Sequence, residues 1–145
     1  MKAILQRVLE SNITVDGKQV ASINHGLLLL LGISQADTKE NADKLIQKVA
    51  KLRIFPDSEG KTNLSITDIK GELLVVSQFT LYADTKKGNR PSFIEAAPPA
   101  QANELYQYFV DSCQGKFAKV EQGIFGADMK VMLINDGPFT VEVNC

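Results

Sequence analysis

Histidine is nearly absent from this chain of 145 residues: His25 stands alone against 17 acidic and 16 basic side chains. It follows Ile23-Asn24 and precedes Gly26, a turn context in which an exposed ring is the plain expectation. One imidazole supplies neither a ligand pair for a metal nor a His-based triad. Cysteine is almost as scarce. Cys113 and Cys145 form no C-x-x-C pair, which removes the usual zinc and redox signatures. Free thiols fit a reducing cytoplasm, the expected compartment. No metal or other cofactor is expected. Charge of one sign is lacking too, with a net value of −1. Neutralising a long nucleic-acid backbone takes many cations, so DNA is not an expected partner, and any RNA should be gripped over a short, specific part. Long apolar runs are missing as well. Leu27 to Leu31 falls far short of the roughly 20 residues that a membrane helix needs. Gln6 and Arg7 interrupt the opening segment, so no secretory leader is expected. What chemistry remains must come from hydroxyls, carboxylates, amides and the backbone.

Hydrophobic residues make up 44% and charged residues 23% of the chain. That balance fits a single globular domain, residues 1–145, able to bury a core without staples. Ala3 to Leu9 reads as a strand. Ile13–Val15 and Val20–Ile23 flank Asp16-Gly17, a strong hairpin signal. Leu27 to Ile33 is apolar on both faces, which predicts a central strand. Asp37 with Glu40 offers a capping box for a helix carrying Ala42, Leu45, Ile46, Val49 and Leu52. Leu73 to Leu81 reads as strand. A second helix, roughly Ala100 to Gln114, presents Ala102, Leu105, Tyr106, Phe109, Val110 and Cys113. Phe117–Glu121, Met129–Ile134 and Val141–Val143 read as strands. The expected fold is α/β: an antiparallel-rich sheet, curled or closed into a barrel, with two main helices.

Three segments stand out. Asp84 to Pro99 is long and irregular, holds three of the five prolines, and carries the basic cluster Lys86, Lys87 and Arg90. Such stretches are often functional, although a solvated loop is an equal reading. Ser77-Gln78-Phe79-Thr80 puts polar groups where the hydrophobic pattern predicts continued burial. Alternation would place Ser77 and Phe79 on one face, Gln78 and Thr80 on the other. The segment is either an ordinary strand end or a cluster of hydroxyls, an amide and free backbone N–H groups fit to hold an oxyanion. Asn135-Asp136-Gly137-Pro138, between two strand-like flanks, is either a plain β-turn or a backbone feature held out for a purpose.

The chain resembles the D-aminoacyl-tRNA deacylase family, also called D-tyrosyl-tRNA deacylase, from end to end. The paired motifs SQxT, here Ser77-Gln78-Phe79-Thr80, and GPxT, here Gly137-Pro138-Phe139-Thr140, carry the resemblance. MKAILQRV, ITVDGKQVASI, SQFTLYAD, KGNRPSF and GIFGADMKVMLINDGP extend it. Phe139 stands where valine is commoner, at a position expected to point away from the site. The resemblance implies a homodimer that hydrolyses the ester between a D-amino acid and the 3′ end of tRNA. Glycine mischarged on the alanine tRNA would be removed too, and L-aminoacyl-tRNA spared. It implies a cis bond between Gly137 and Pro138, whose carbonyls enter the partner's active site. Ser77, Gln78, Phe79 and Thr80 would form the catalytic wall. Phe125 would pack on the terminal adenine, and Met129 would line the same pocket. Arg7 would hold the Gly-Pro segment, from within the chain or across the dimer. Read without the resemblance, Phe125 and Met129 are core residues and Arg7 a surface arginine.

Overall fold

The computed structural model describes residues 1–145. The chain opens with β1 (Lys2–Val15), β2 (Lys18–Ile23) and β3 (Gly26–Gly32). Next come α1 (Lys39–Lys51), the small hairpin β4 (Arg53–Pro56) and β5 (Thr62–Ser65), and β6 (Glu72–Ser77). A short 3-10 helix (Phe79–Tyr82), α2 (Pro99–Cys113), β7 (Lys119–Gln122) and β8 (Lys130–Asn144) complete it. No helix is long and apolar enough to cross a membrane.

The main sheet runs β2-β1-β3-β6-β7, with β8 also paired to β1. β1 pairs antiparallel with β2, β3 and β8. β3–β6 and β6–β7 are parallel. The sheet is thus antiparallel-rich, as expected, with a parallel corner. It curls until its two sides meet. Lys119 on β7 donates to the Ser22 carbonyl on β2 (2.6 Å), and Met129 and Val131 pack among Leu74 and Val76. The result is a nearly closed, barrel-like sheet.

Alternation along β3 and β6 explains the two cores. Leu27, Leu29, Leu31, Leu73 and Val75 face the helices, against Leu45, Ile46, Val49, Tyr106 and Phe109. Leu28, Leu74 and Val76 face the barrel interior with Val8 and Ile13. Full burial of each such side chain contributes roughly 1.5–3 kcal/mol. Both faces of β3 are covered, so its unbroken leucine run is what a central strand requires.

Several expectations are corrected. The two opening segments are one long strand, β1. The predicted cap Asp37–Glu40 is shifted by one: Thr38 and Asn41 form the capping box. Asp37 is instead buried, and accepts from the Met1 amino group and the Ser34 N–H. The strand predicted to reach Leu81 stops at Ser77, where the chain coils into the 3-10 helix, so side-chain alternation does not extend through Gln78-Phe79-Thr80. Asn135–Pro138 is not a chain-reversing turn. Both of its flanks pair with the same strand, with Asn135 opposite Val8 and Thr140 opposite Gln6. Asp136 to Phe139 therefore bulge out opposite the single residue Arg7.

Candidate active site

β3 and β6 lie parallel with Leu31 beside Ser77. In open parallel α/β sheets ligands bind beyond the carboxyl ends of the strands, and the parallel corner of this sheet offers the same kind of opening. A cleft of about 680 Å³ opens there. Ser77, Gln78 and Phe79 form one wall, and Phe125 and Met129 another. Phe93 closes the rim, its ring 5.0 Å from that of Phe79, edge to face. Five of the predicted site residues thus meet in one cavity. Sequence reading missed Phe93 and the wall from Ala96 to Ala102. The irregular stretch Asp84–Pro99 was their only signal.

The local sequence explains the shape. Gln78 donates its N–H to the Leu31 carbonyl (2.8 Å), the last tie to β3. It then leaves extended geometry (φ −144°, ψ 79°), and the 3-10 helix begins. A Cβ on Gly32 would lie 2.9 Å from Leu81 Cβ and 3.3 Å from the Gln78 carbonyl oxygen, so glycine lets the helix settle on β3. The first N–H groups of any helix have no partner inside it, and here no side chain caps them. The Phe79 and Thr80 N–H groups are those of the first turn. Thr80 is exposed, and its hydroxyl accepts from Gln78 Nε2 (2.5 Å).

The opposite wall is held from below. Buried Tyr106 donates to the Val75 carbonyl (2.9 Å), and its ring lies 5.9 Å from that of Phe125. Burial pushes the Tyr106 hydroxyl well above its usual pKa, against a smaller opposing effect of the Gly123 backbone, so it stays a neutral donor. Gly123 makes room for Met129, whose sulfur would sit 2.5 Å from a Cβ there. Cys113, also buried, has its thiol pushed up to about 12 by desolvation, which leaves it an inert apolar filler. No group of three or more His, Cys, Asp or Glu side chains comes together as a metal site would require.

Four of the predicted site residues do not line this cleft: Thr80, next to the lining residue Phe79, and Arg7, Gly137 and Pro138. Arg7 is not a surface arginine: it is 9% exposed. Its Nε donates to the Asp136 carbonyl (3.0 Å) and lies 3.1 Å from the Asp136 carboxylate. Its Nη1 donates to the Ile54 carbonyl (2.7 Å). Its guanidinium stands 5.1 Å from the Phe139 ring, and Phe139 packs against the core. His25 is exposed yet not idle. Its Nε2 lies 3.5 Å from the Asp136 carboxylate, and its ring meets Phe55 edge-on. The Gly137–Pro138 bond is cis, the conformation the resemblance implies. Gly137 has φ +128°, and a Cβ there would lie 3.1 Å from Arg7 Nη2. Asp136, which sequence reading did not single out, is the hub of this cluster.

The two motifs sit at opposite ends of the same strands. Arg7 is opposite Leu27, whereas Ala3, opposite Leu31, marks the cleft end. Four residues of strand span ~13 Å.

A family model described as D-Tyr-tRNA(Tyr) deacylase matches residues 4–144. The chain is 58% identical over 140 residues to a D-aminoacyl-tRNA deacylase of Geotalea daltonii, covering 97% of this chain and 93% of that protein. It is 54% identical over 144 residues to one of Aquifex aeolicus, covering 99% and 97%. Among solved structures, a c-Myc DNA unwinding element binding protein superposes with a TM-score of 0.95 at 40% identity, over 100% of this chain and 99% of that one. A probable eukaryotic D-amino acid tRNA deacylase superposes at 0.87 over 99% and 98%; at 17% identity that match speaks for the fold alone.

Proposed function

This chain belongs to the D-Tyr-tRNA(Tyr) deacylase family and has D-aminoacyl-tRNA deacylase activity, and from that premise we propose how it judges handedness. The reading is that Gly137 and Pro138 of one protomer complete the cleft of a second copy in a homodimer. The separation of the two motifs within one chain carries this reading. The bulge lies ~13 Å along the strands from the cleft and lines none of it, so a site using both motifs calls for two chains.

In that site the carbonyl oxygens of Gly137 and Pro138 accept from the substrate's α-ammonium group. They fill the space into which an L side chain would project, and a D side chain leaves toward solvent. Rejection by a fixed backbone is indifferent to side-chain identity and strict for handedness. Glycine has no side chain to exclude, so glycyl-tRNA, such as glycine mischarged on the alanine tRNA, is hydrolysed too. Phe125 packs on the terminal adenine, as aromatics do with unpaired bases, and Met129 lines the same pocket.

Hydrolysis proceeds by attack of water on the ester carbonyl carbon. The Phe79 and Thr80 N–H groups hold the resulting oxyanion, and Ser77 and Gln78 frame the pocket. The intermediate expels the ribose oxygen, which takes up a proton, leaving free amino acid and tRNA. Thr80 is not the nucleophile in this reading. Within its own chain His25 stands before the start of β3, six residues from Leu31, which is ~20 Å of strand, so Thr80 has no imidazole base from its own chain. The ring that would arrive with the partner's bulge has its Nε2 3.5 Å from the Asp136 carboxylate. The neighbouring ribose hydroxyl of the substrate assists the water instead.

Incubation with D-Tyr-tRNA and L-Tyr-tRNA tests the reading. Release of tyrosine from the D-form alone is expected. Binding of both without release would favour a non-catalytic RNA-end binder.

A further inference from the structure

We propose that the segment Asp84–Ser92 is a phosphate-binding arm that holds the tRNA strand just before its terminal nucleotide. Asp84 and Ser92 pinch the segment closed with reciprocal backbone hydrogen bonds of 2.8 and 2.9 Å. The pinch follows the 3-10 helix that carries Phe79 and Thr80, and Ser92 is joined directly to Phe93 at the cleft rim. The arm is therefore fixed at its foot to the wall of the cleft.

Its outer part is built for anions. Lys86, Lys87 and Arg90 are all exposed. None has a carboxylate within ion-pair distance. Other lysines of the chain share that, and what sets these three apart is that they crowd into five consecutive residues of one exposed segment. The one acid within the arm, Asp84, is exposed at its foot, where its carboxylate accepts the Lys86 backbone N–H (2.9 Å). Gly88 lies at φ +84° with open space where a Cβ would be, so the tip turns through a left-handed glycine out in solvent. Four residues from pinch to tip reach at most ~14 Å, enough to pass the aromatic rim. A cluster of uncompensated cations beside a nucleotide-sized cleft, on a chain of net charge −1, fits a few phosphates of a single strand rather than a duplex.

The arm rests on the deacylase reading, and the experiment separates the two. Lys86→Ala/Lys87→Ala/Arg90→Ala is compared with the unaltered protein on D-Tyr-tRNA and on the truncated substrate 3′-D-tyrosyl-adenosine. The triple variant should raise KM for the tRNA substrate ~10-fold or more at low salt, with kcat within a factor of about two. The truncated substrate should be hydrolysed equally by both proteins. Three single-strand contacts predict a slope of about −2 for log kcat/KM against log salt, falling toward zero in the variant. Lys86→Arg/Lys87→Arg should behave like the unaltered protein. Unchanged KM and slope, or equal loss on both substrates, would overturn the arm. Failure of the unaltered protein to hydrolyse either substrate would sink the deacylase reading instead. Titration of uncharged tRNA, with the same salt slopes, then decides the arm by itself.

Discussion

The two ends of β3 and β6 are built on opposite principles. At the carboxyl end, the sheet stops early and the chain coils away, so backbone N–H groups at Phe79 and Thr80 enter a helix with no cap. At the other end, Arg7, Asp136, His25, Phe55 and Phe139 lock a bulge of main chain from behind. The first region leaves donors free for a ligand; the second uses charged side chains to fix carbonyls in place. Donors that meet a developing charge need to be preorganised and open. A surface that rejects by overlap needs to be rigid, and burying an arginine against two carbonyls and a carboxylate achieves that only because its partners are all present.

The largest effect should come from removing a donor at the open end. Phe79→Pro deletes one N–H. Proline is tolerated at the first helical position, and Gln78 before it already lies outside the helical region. A loss of about 10²–10³ in kcat is expected, with Phe79→Ala, which keeps the N–H, much milder. Single-turnover rates on D-Tyr-tRNA decide it. Equal losses in the two variants would mean that the ring, not the backbone, matters.

At the locked end, Gly137→Ala forces a side chain onto φ +128° and against Arg7 and the Phe139 N–H. Displacement of the carbonyls by even 1 Å predicts about a 100-fold fall in kcat/KM. The comparison between the ends is sharpened by mixing. Coexpressed Phe79→Pro and Gly137→Ala chains should form heterodimers with one intact composite site and recover a substantial part of the activity. Absence of recovery in isolated heterodimers would show that each chain serves its own cleft.

The sequence disclosed the two ends unequally. The leucine run of β3, the Asp16-Gly17 hairpin and the apolar face of α2 were legible because periodicity and turn chemistry are local. The cleft was half legible: Ser77-Gln78-Phe79-Thr80 broke a hydrophobic pattern, but its coil into a helix depends on Gly32 in a neighbouring strand. Asn135–Pro138 stayed open between a reversal and a displayed stretch of backbone, since Asn-Asp-Gly-Pro suits either. Only pairing of both flanks with β1 shows that the chain carries straight on. Arg7 looked like a surface residue because its partners Ile54 and Asp136 lie far away along the chain.

Arg7→Lys tests the lock more gently. A lysine cannot reproduce the fork that reaches both Ile54 and Asp136. Leaving one of those carbonyls without its donor costs about 1–3 kcal/mol, which thermal unfolding should register as a lower Tm. Kinetically, about a tenfold loss of D-over-L preference is expected, larger than any change in the rate on glycyl-tRNA, which has no side chain to misjudge. An equal fall on all three substrates would assign Arg7 to stability alone.

The smallest effect belongs to Thr80→Ala. The hydroxyl is exposed, and its hydrogen bond is with the Gln78 amide, a group too weakly basic to take a proton. A hydroxyl without a base is a poor nucleophile, whereas an aminoacyl ester is already activated toward water. The backbone N–H of residue 80 survives the substitution, so the oxyanion contact is retained. A reduction of less than about tenfold is therefore expected, with no acyl-enzyme trapped on quenching the unaltered protein. Abolished turnover in a folded dimer, together with tyrosine covalently bound to Thr80, would move the chemistry from water to the side chain. The open end would then be more than a frame of backbone donors.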